Sequence, residues 1–234
     1  MRAVCLVSGG MDSLVSAATA VAAGRECAFV HVTYGQLTAA RERRAFDAMC
    51  DFYRPYRRLV ADVGYLAAIG GSALTDKSIA VPLSSESSVG AIHESPRAAA
   101  SPSGVPVTYV PFRNAHLIAV ATSLAEVEGA GEIYIGATQV DYSGYPDCRR
   151  EFFDAMERAI RLGTKPDTRI RIVTPVINMG KGEIVREGLR LKAPFELSWS
   201  CYTNSDLACG RCESCTLRLK GFAEAGMKDP IPYA

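Results

Sequence analysis

The 234-residue sequence holds no uninterrupted apolar run approaching the ~18 residues that a membrane-crossing helix needs, so no membrane span is expected. It lacks an excess of either charge: 26 basic side chains stand against 25 acidic ones, a net charge of +1. No global positive field therefore points to a nucleic-acid backbone, and no nucleic-acid partner is expected. The apolar stretch behind Arg2 is not continuous enough for a secretory signal, because Ser8-Gly9-Gly10 and Asp12 interrupt it. It reads instead as a buried strand and a helix, and the expected compartment is cytoplasmic. There is no internal repeat. What is present is ordinary for a globular protein, with 48% hydrophobic and 22% charged residues. The length allows one α/β domain with a small appendage, built on a core that needs no disulfides.

Strand and helix patterns alternate along the chain. Residues 3–7 form a short continuous apolar run, as a parallel strand covered on both faces does. Leu14, Val15, Ala18, Val21 and Ala22 then recur at helical spacing. Further strands are predicted over 27–32, 57–61, 133–135 and 170–173, and helices over 38–53, 115–128, 149–162 and 181–191. Between them, residues 70–106 hold four prolines, many serines and no periodicity, and predict a long mobile loop or lid. The fold class is α/β, a parallel sheet flanked by helices, whose ligands bind at the carboxyl ends of the strands. Two segments follow such strand ends: residues 8–13 and residues 137–148.

Ser8-Gly9-Gly10-Met11-Asp12-Ser13 lies between the first strand and a helix start. Two glycines let the backbone turn sharply and approach a ligand. The helix-start amides, at the positive end of the dipole, form an anion site. Ser8 and Ser13 add hydroxyl donors, and Asp12 suits a helix cap or a magnesium ligand. The loop lacks the Gly-Lys-Ser/Thr of a Walker A motif and the third glycine of a dinucleotide fingerprint. A serine- and glycine-rich turn with an Asp cap is the bland alternative that these six residues leave open. The motif resembles the Ser-Gly-Gly-X-Asp-Ser signature of the pyrophosphate-loop ATPases. That likeness implies an adenine nucleotide α-hydrolase-like fold and cleavage of ATP between its α and β phosphates.

Four of the eight cysteines, Cys201, Cys209, Cys212 and Cys215, form a C-x7-C-x2-C-x2-C array. In a reducing compartment this spacing favours a metal over disulfides. Four thiolates with no open position describe one structural zinc ion per chain, with roughly 10–16 kcal/mol of apparent binding energy. An iron–sulfur cluster is the alternative. The expected division is a nucleotide-binding α/β domain over 1–195 and a C-terminal zinc-binding segment over 196–234.

Three further segments narrow the reading: Tyr109-Val110-Pro111-Phe112-Arg113-Asn114, Asp141-Tyr142-Ser143-Gly144-Tyr145-Pro146-Asp147-Cys148-Arg149, and Trp199-Ser200-Cys201-Tyr202 leading into the cysteine array. With the phosphate loop they resemble the 7-cyano-7-deazaguanine synthase family, known as QueC, over residues 3 to about 222. The resemblance implies a cytosolic homodimeric ligase of queuosine biosynthesis. It implies that 7-carboxy-7-deazaguanine and ammonia become the nitrile preQ0, with ATP and Mg2+ as co-substrate and AMP and diphosphate released. Ser8, Gly9, Gly10, Met11, Asp12, Ser13, Leu14 and His31 are then the candidate nucleotide-binding residues. Asp12, Arg113 and Lys181 are the catalytic candidates, and Asp141, Ser143, Gly144, Tyr145 and Asp147 the candidate base pocket. Seen alone, that last stretch is a polar turn capped by Asp147. His93, His116 and Cys148 carry no clear signal.

Two departures stand out. Phe112 takes the place of a small residue, and would narrow the pocket if it faced the ligand. Residues 84–104 are also longer than usual. Both leave room for a relative that joins the activated acid to a protein amine. A tRNA-modifying enzyme of the superfamily would need an RNA-binding surface that neither charge nor length supplies. A zinc-stabilised binding module with a dead nucleotide site conflicts with the intact loop.

Overall fold

Arg2–Leu6 (β1) is apolar on both faces, and Ala3, Val4 and Cys5 are at most 1% exposed, so this strand has to be covered from two sides. It is the middle strand of a five-stranded parallel sheet. The others are β2 (Glu26–Thr33), β3 (Arg57–Asp62), β4 (Glu132–Ile135) and β5 (Arg171–Val173), in the order β3-β2-β1-β4-β5. The computed structural model describes residues 1–83, 104–140 and 144–234. The chain winds outward from β1 to β3, then returns to lay β4 on the other side of β1. Leu6 is thus in register with Val30 of β2 and Ile135 of β4. That reversal makes a crevice at the carboxyl ends of β1 and β4, where open α/β sheets take their ligands.

The helices that cover the sheet are those the apolar spacing requires. One face of the sheet is covered by α1 (Met11–Ala22), α2 (Ala39–Tyr53) and α6 (Lys181–Arg190), with Leu14, Phe46, Met49, Ile184 and Val185 in one buried cluster. On the other face lie α3 (Tyr65–Ile69), α4 (Arg113–Glu128) and α5 (Arg150–Gly163), contributing Leu66, Ile118, Leu124, Phe153 and Ile160. A third cluster joins Ala45, Trp199 and Ile231 to the buried cysteines. No helix among the described residues is long and apolar enough to cross a membrane.

Every predicted strand and helix is present, with ends shifted by one or two residues. Two helices were not predicted. α3 is a five-residue turn of helix, too short for a period to show. α7 (Glu213–Glu224) grows directly out of the cysteine array and packs on α6. Glycines make that contact close, since a Cβ on Gly221 would stand 2.7 Å from the Lys181 Cβ.

The expected loop over 70–106 is anchored at its ends. Ala73 and Thr108 are fully buried, and the Ala73 amide donates to the Val107 carbonyl at 2.8 Å. These ends are therefore part of the packed structure, which corrects the expectation of a lid throughout. Its middle, residues 84–103, lies outside the described residues.

Candidate active site

The turn after β1 places Ser8–Ser13 over the crevice. Gly9 has φ +95°, and a Cβ there would fall 2.7 Å from the Glu42 carbonyl oxygen, so this position requires glycine. Internal hydrogen bonds fix the turn: the Gly10 amide donates to Ser8 Oγ at 3.2 Å, and Ser13 Oγ donates to the Gly10 carbonyl at 2.9 Å. Met11, Asp12 and Ser13 open α1 and line the cavity, presenting first-turn amides that have no partner inside the helix. Gly136, just past β4, holds the opposite side. A Cβ there would lie 2.5 Å from the Asp12 carbonyl carbon and oxygen and 2.6 Å from the Ser13 amide nitrogen.

Lys181, the first residue of α6, reaches into this corner. Its Nζ is 2.7 Å from Asp12 Oδ2, while Asp12 Oδ1 is buried with no hydrogen-bond partner among the described residues. A lysine beside bare helix-start amides is suited to the charge of phosphates. The orphaned carboxylate oxygen is chemically suited to a hard cation such as magnesium.

From there a cavity of about 270 Å³ runs between the strand ends and the C-terminal segment. Val30, Val32, Tyr34, Leu117, Tyr145 and Tyr202 give it apolar and aromatic walls. Arg113 enters from α4, donates to the Tyr34 hydroxyl at 3.2 Å and lies over that ring at 5.3 Å. Burial works against its charge, but Tyr34, Tyr145 and Asp147 nearby hold its pKa above the ordinary value. Tyr145 donates to Thr108 at 2.8 Å, and burial raises its phenol to about 12, so it remains a neutral ring. Glu213 also lines the cavity; burial raises its pKa and Lys181 opposes the shift.

Several candidates from the sequence sit elsewhere. Leu14 is a core residue of α1, and Gly9 shapes the turn from behind. His31 does not line the cavity. Its fully buried ring lies behind the turn, with Nδ1 3.1 Å from the Val7 carbonyl oxygen and Phe46 at 5.3 Å between centroids. Burial lowers its pKa. Asp147 is not among the residues that line the cavity and is 2% exposed. It accepts from the Asn114 amide at 2.9 Å, so it caps α4 across space, and burial raises its pKa. Asn114 in turn donates to the Asp147 carbonyl at 2.9 Å and to Cys148 Sγ at 3.3 Å. Gly144, at φ +67°, turns the chain against Pro106. Asp141 and Ser143 lie outside the described residues.

Phe112 is 56% exposed and packs edge-on against His116 and Phe152, outside the cavity, so it does not narrow the pocket. Its φ of +57° is the left-handed region, and its amide donates to the Tyr109 hydroxyl. Residues missed from sequence include Tyr34, Gln36, Gly136, Thr138, Ser200, Tyr202, Glu213 and Arg218. Gly136 and Thr138 follow β4, and that position was a usable signal. Arg218 is 1% exposed, ion-paired to Asp229 at 2.7 Å and donating to Ser198 at 2.7 Å, which fixes the wall around Ser200.

The four cysteines of the array converge, with their sulfurs all within 4.8 Å of one another. Backbone amides point at them: Asn204 and Cys209 donate to Cys201 Sγ, and Arg211 and Cys212 to Cys209 Sγ, at 3.2–3.4 Å. Without a metal the sulfurs share protons: hydrogen bonds from Cys212 and Cys215 hold the Cys201 pKa far below its ordinary value, and the same bonds push the Cys212 and Cys215 thiols above theirs. Four sulfurs this close, with amides ready to stabilise thiolates, fit a tetrahedral thiolate-bound metal, in which sulfurs stand about 3.8 Å apart. The cluster is tied to the phosphate turn through Trp199, whose amide donates to the Gly9 carbonyl at 2.8 Å.

Known proteins resemble this chain in fold and in sequence. One solved structure of similar fold is a 4-thiouridine synthetase–RNA complex with bound ATP, with a TM-score of 0.50 and 17% identity; the match covers 99% of this chain and 47% of that one. Among curated relatives, the 7-cyano-7-deazaguanine synthase of Chloroherpeton thalassium is 52% identical, covering 100% of this chain and 97% of the relative. The same-named protein of Koribacter versatilis is 52% identical over 100% and 93%. That of Campylobacter curvus is 48% identical over 100% and 98%. A family model described as "Queuosine biosynthesis protein QueC" matches residues 2–226, and the chain belongs to that family.

Proposed function

We propose that the chain is an ATP-dependent ligase that makes 7-cyano-7-deazaguanine from 7-carboxy-7-deazaguanine and ammonia. The observation that carries this reading is the Ser8–Ser13 turn with Lys181 and Asp12, opening into an aromatic-walled cavity. A carboxylate is a poor electrophile until its oxygen becomes a good leaving group. Transfer of AMP from ATP to that oxygen releases diphosphate, and ammonia then displaces AMP to give the amide. A second AMP transfer, to the amide oxygen, allows loss of AMP and two N–H protons to leave the nitrile. Both activations ask the protein for the same thing: an α-phosphate in line with a substrate oxygen, and stabilisation of charge growing on diphosphate.

In this reading the amides of Met11, Asp12 and Ser13 and the hydroxyls of Ser8 and Ser13 hold the β and γ phosphates. Lys181 and Arg113 offset negative charge. Asp12 would hold magnesium through its unpaired oxygen, and that ion would neutralise the leaving diphosphate. Tyr145 stacks on the deazaguanine, and Asp141 and Ser143 complete its pocket. Asp147 enters as the cap that positions Arg113 and Asn114. The four cysteines hold zinc, which serves folding of residues 196–234 onto the domain formed by 1–195. The family resemblance adds that the enzyme works in the cytoplasm as a homodimer.

The test is incubation of the purified protein with the carboxy base, ATP, magnesium and ammonium, followed by mass spectrometry. Nitrile with AMP is the expected product. Diphosphate release without nitrile, and an adduct on a protein amine instead, would replace ammonia as acceptor. No AMP with any deazaguanine would overturn the reading.

A further inference from the structure

The described part of the cavity lining carries three carboxylates, Asp12, Glu42 and Glu213. Two are committed to the protein. Asp12 is held by Lys181 at 2.7 Å. Glu42 accepts from Gln36 Nε2 at 2.9 Å and from Thr38 Oγ1 at 2.8 Å. Glu213 has no hydrogen-bond or ion-pair partner among the described residues, yet it is only partly exposed and lines the cavity. It shares that part of the cavity with the rings of Tyr145 and Tyr202, and Lys181 is the cation whose field reaches it.

Its place is rigid. Glu213 is the first residue of α7, between Cys212 and Cys215. The adjoining turn is held by the buried Arg218, which donates to Ser198 and Ser200 and pairs with Asp229. A long acidic side chain on so fixed a backbone, close enough to the rings of Tyr145 and Tyr202 for its charge to act on both, is arranged as a receptor for donors on a flat molecule. An acid in a first helical turn also favours the helix dipole, by a few tenths to 1 kcal/mol, but that role is served as well from the solvent side of the helix.

We propose that Glu213 is the residue that reads the donor edge of the substrate, its two oxygens accepting the ring N1–H and the 2-amino group of the deazaguanine. This rests on the function proposed above and adds its specificity determinant. The acid group at C7 is on the far side of the bicycle from that edge. A base gripped by Glu213 and stacked on Tyr145 therefore directs its acid away from Glu213. Adenine-like rings, which present an acceptor at N1, would meet the carboxylate with repulsion.

The experiment compares 7-carboxy-7-deazaguanine with its 2-desamino analogue, 7-carboxy-7-deazahypoxanthine, by initial rates of diphosphate release. The unaltered protein should favour the amino base by about 10- to 150-fold in kcat/KM, the range of a hydrogen bond to a charged group. In Glu213→Gln that preference should fall to within a fewfold, through KM for the base, while KM for MgATP, metal content and Tm stay unchanged. Glu213→Asp, which keeps the charge on a shorter arm, should restore part of the preference. A Gln variant that keeps the full preference, or that loses MgATP affinity instead, overturns the assignment and makes Glu213 a helix-start or magnesium group. Failure of the unaltered protein to release diphosphate with the carboxy base would sink the proposed reaction itself, a different outcome.

Discussion

Replacing one α-hydrogen of Gly136 by a methyl group should disable the phosphate corner. The added Cβ would sit 2.5 Å from the carbonyl carbon and oxygen of Asp12 and 2.6 Å from the Ser13 amide nitrogen. These are backbone atoms in the first turn of α1, so no rotamer change relieves the clash. Reaching ordinary contact at 3.4 Å needs the strand end and the helix start to separate by about 0.9 Å. Forced overpacking of this kind costs about 1–3 kcal/mol. A displacement near 1 Å at a positioning element costs on the order of 100-fold in rate. Gly136→Ala should therefore fold with a lowered Tm and full metal content, yet lose about 100-fold in kcat for diphosphate release. The control is Gly163→Ala, at the end of α5, where a Cβ meets nothing within 4 Å. That change should leave activity intact and leave stability unchanged or raised by up to about 1 kcal/mol. Measuring both by urea unfolding and a diphosphate-release assay decides the matter. A Gly136→Ala protein with the activity and stability of the parent would refute the claim that this close approach sets the site.

Three other outcomes follow from the geometry. Lys181→Met should lower kcat/KM by about 100- to 1,000-fold, as loss of a charge-stabilising donor does, with Tm little altered; steady-state kinetics that match the parent would remove Lys181 from the chemistry. Cys212→Ser should take the metal, measured by atomic emission, from about one ion per chain toward none, and a variant with full occupancy would show that the array is not the ligand set. His31 has its pKa lowered by burial, so the unfolded chain binds the proton more readily than the folded one. Its contribution to stability is complete above the unfolded value of about 6.5 and is lost as pH falls below it. His31→Asn, which keeps a donor toward the Val7 carbonyl, should flatten the decline of Tm on acidification in that window. An unchanged slope would assign the decline to other groups.

The fold was legible because its strands are pure in type. Ala3, Val4 and Cys5 could only be a strand covered on both faces, and the helical spacing of Leu14, Val15 and Ala18 could only follow it. α7 escaped because its N-cap and first turn carry two of the metal-ligand candidates, Cys212 and Cys215, and these read as a ligand array before they read as a helix. The site was legible where a backbone motif carries it, as in Ser8–Ser13, and obscure where side chains gather from distant segments. Glu213, Tyr202 and Arg113 meet in one cavity by topology, and no spacing in the chain announces that. The partner of Asp147 was hidden for a related reason. Its neighbours along the chain suggest a ligand turn, but its partner is an amide 33 residues earlier.

The bond from the Trp199 amide to the Gly9 carbonyl makes the two halves of the molecule answer to each other. If a metal on the cysteines steadies that bond, the turn that would take nucleotide is steadied with it, and thermodynamic reciprocity then requires the converse. ATP should slow the escape of the ion to a chelator, and a starved knuckle should bind ATP more weakly.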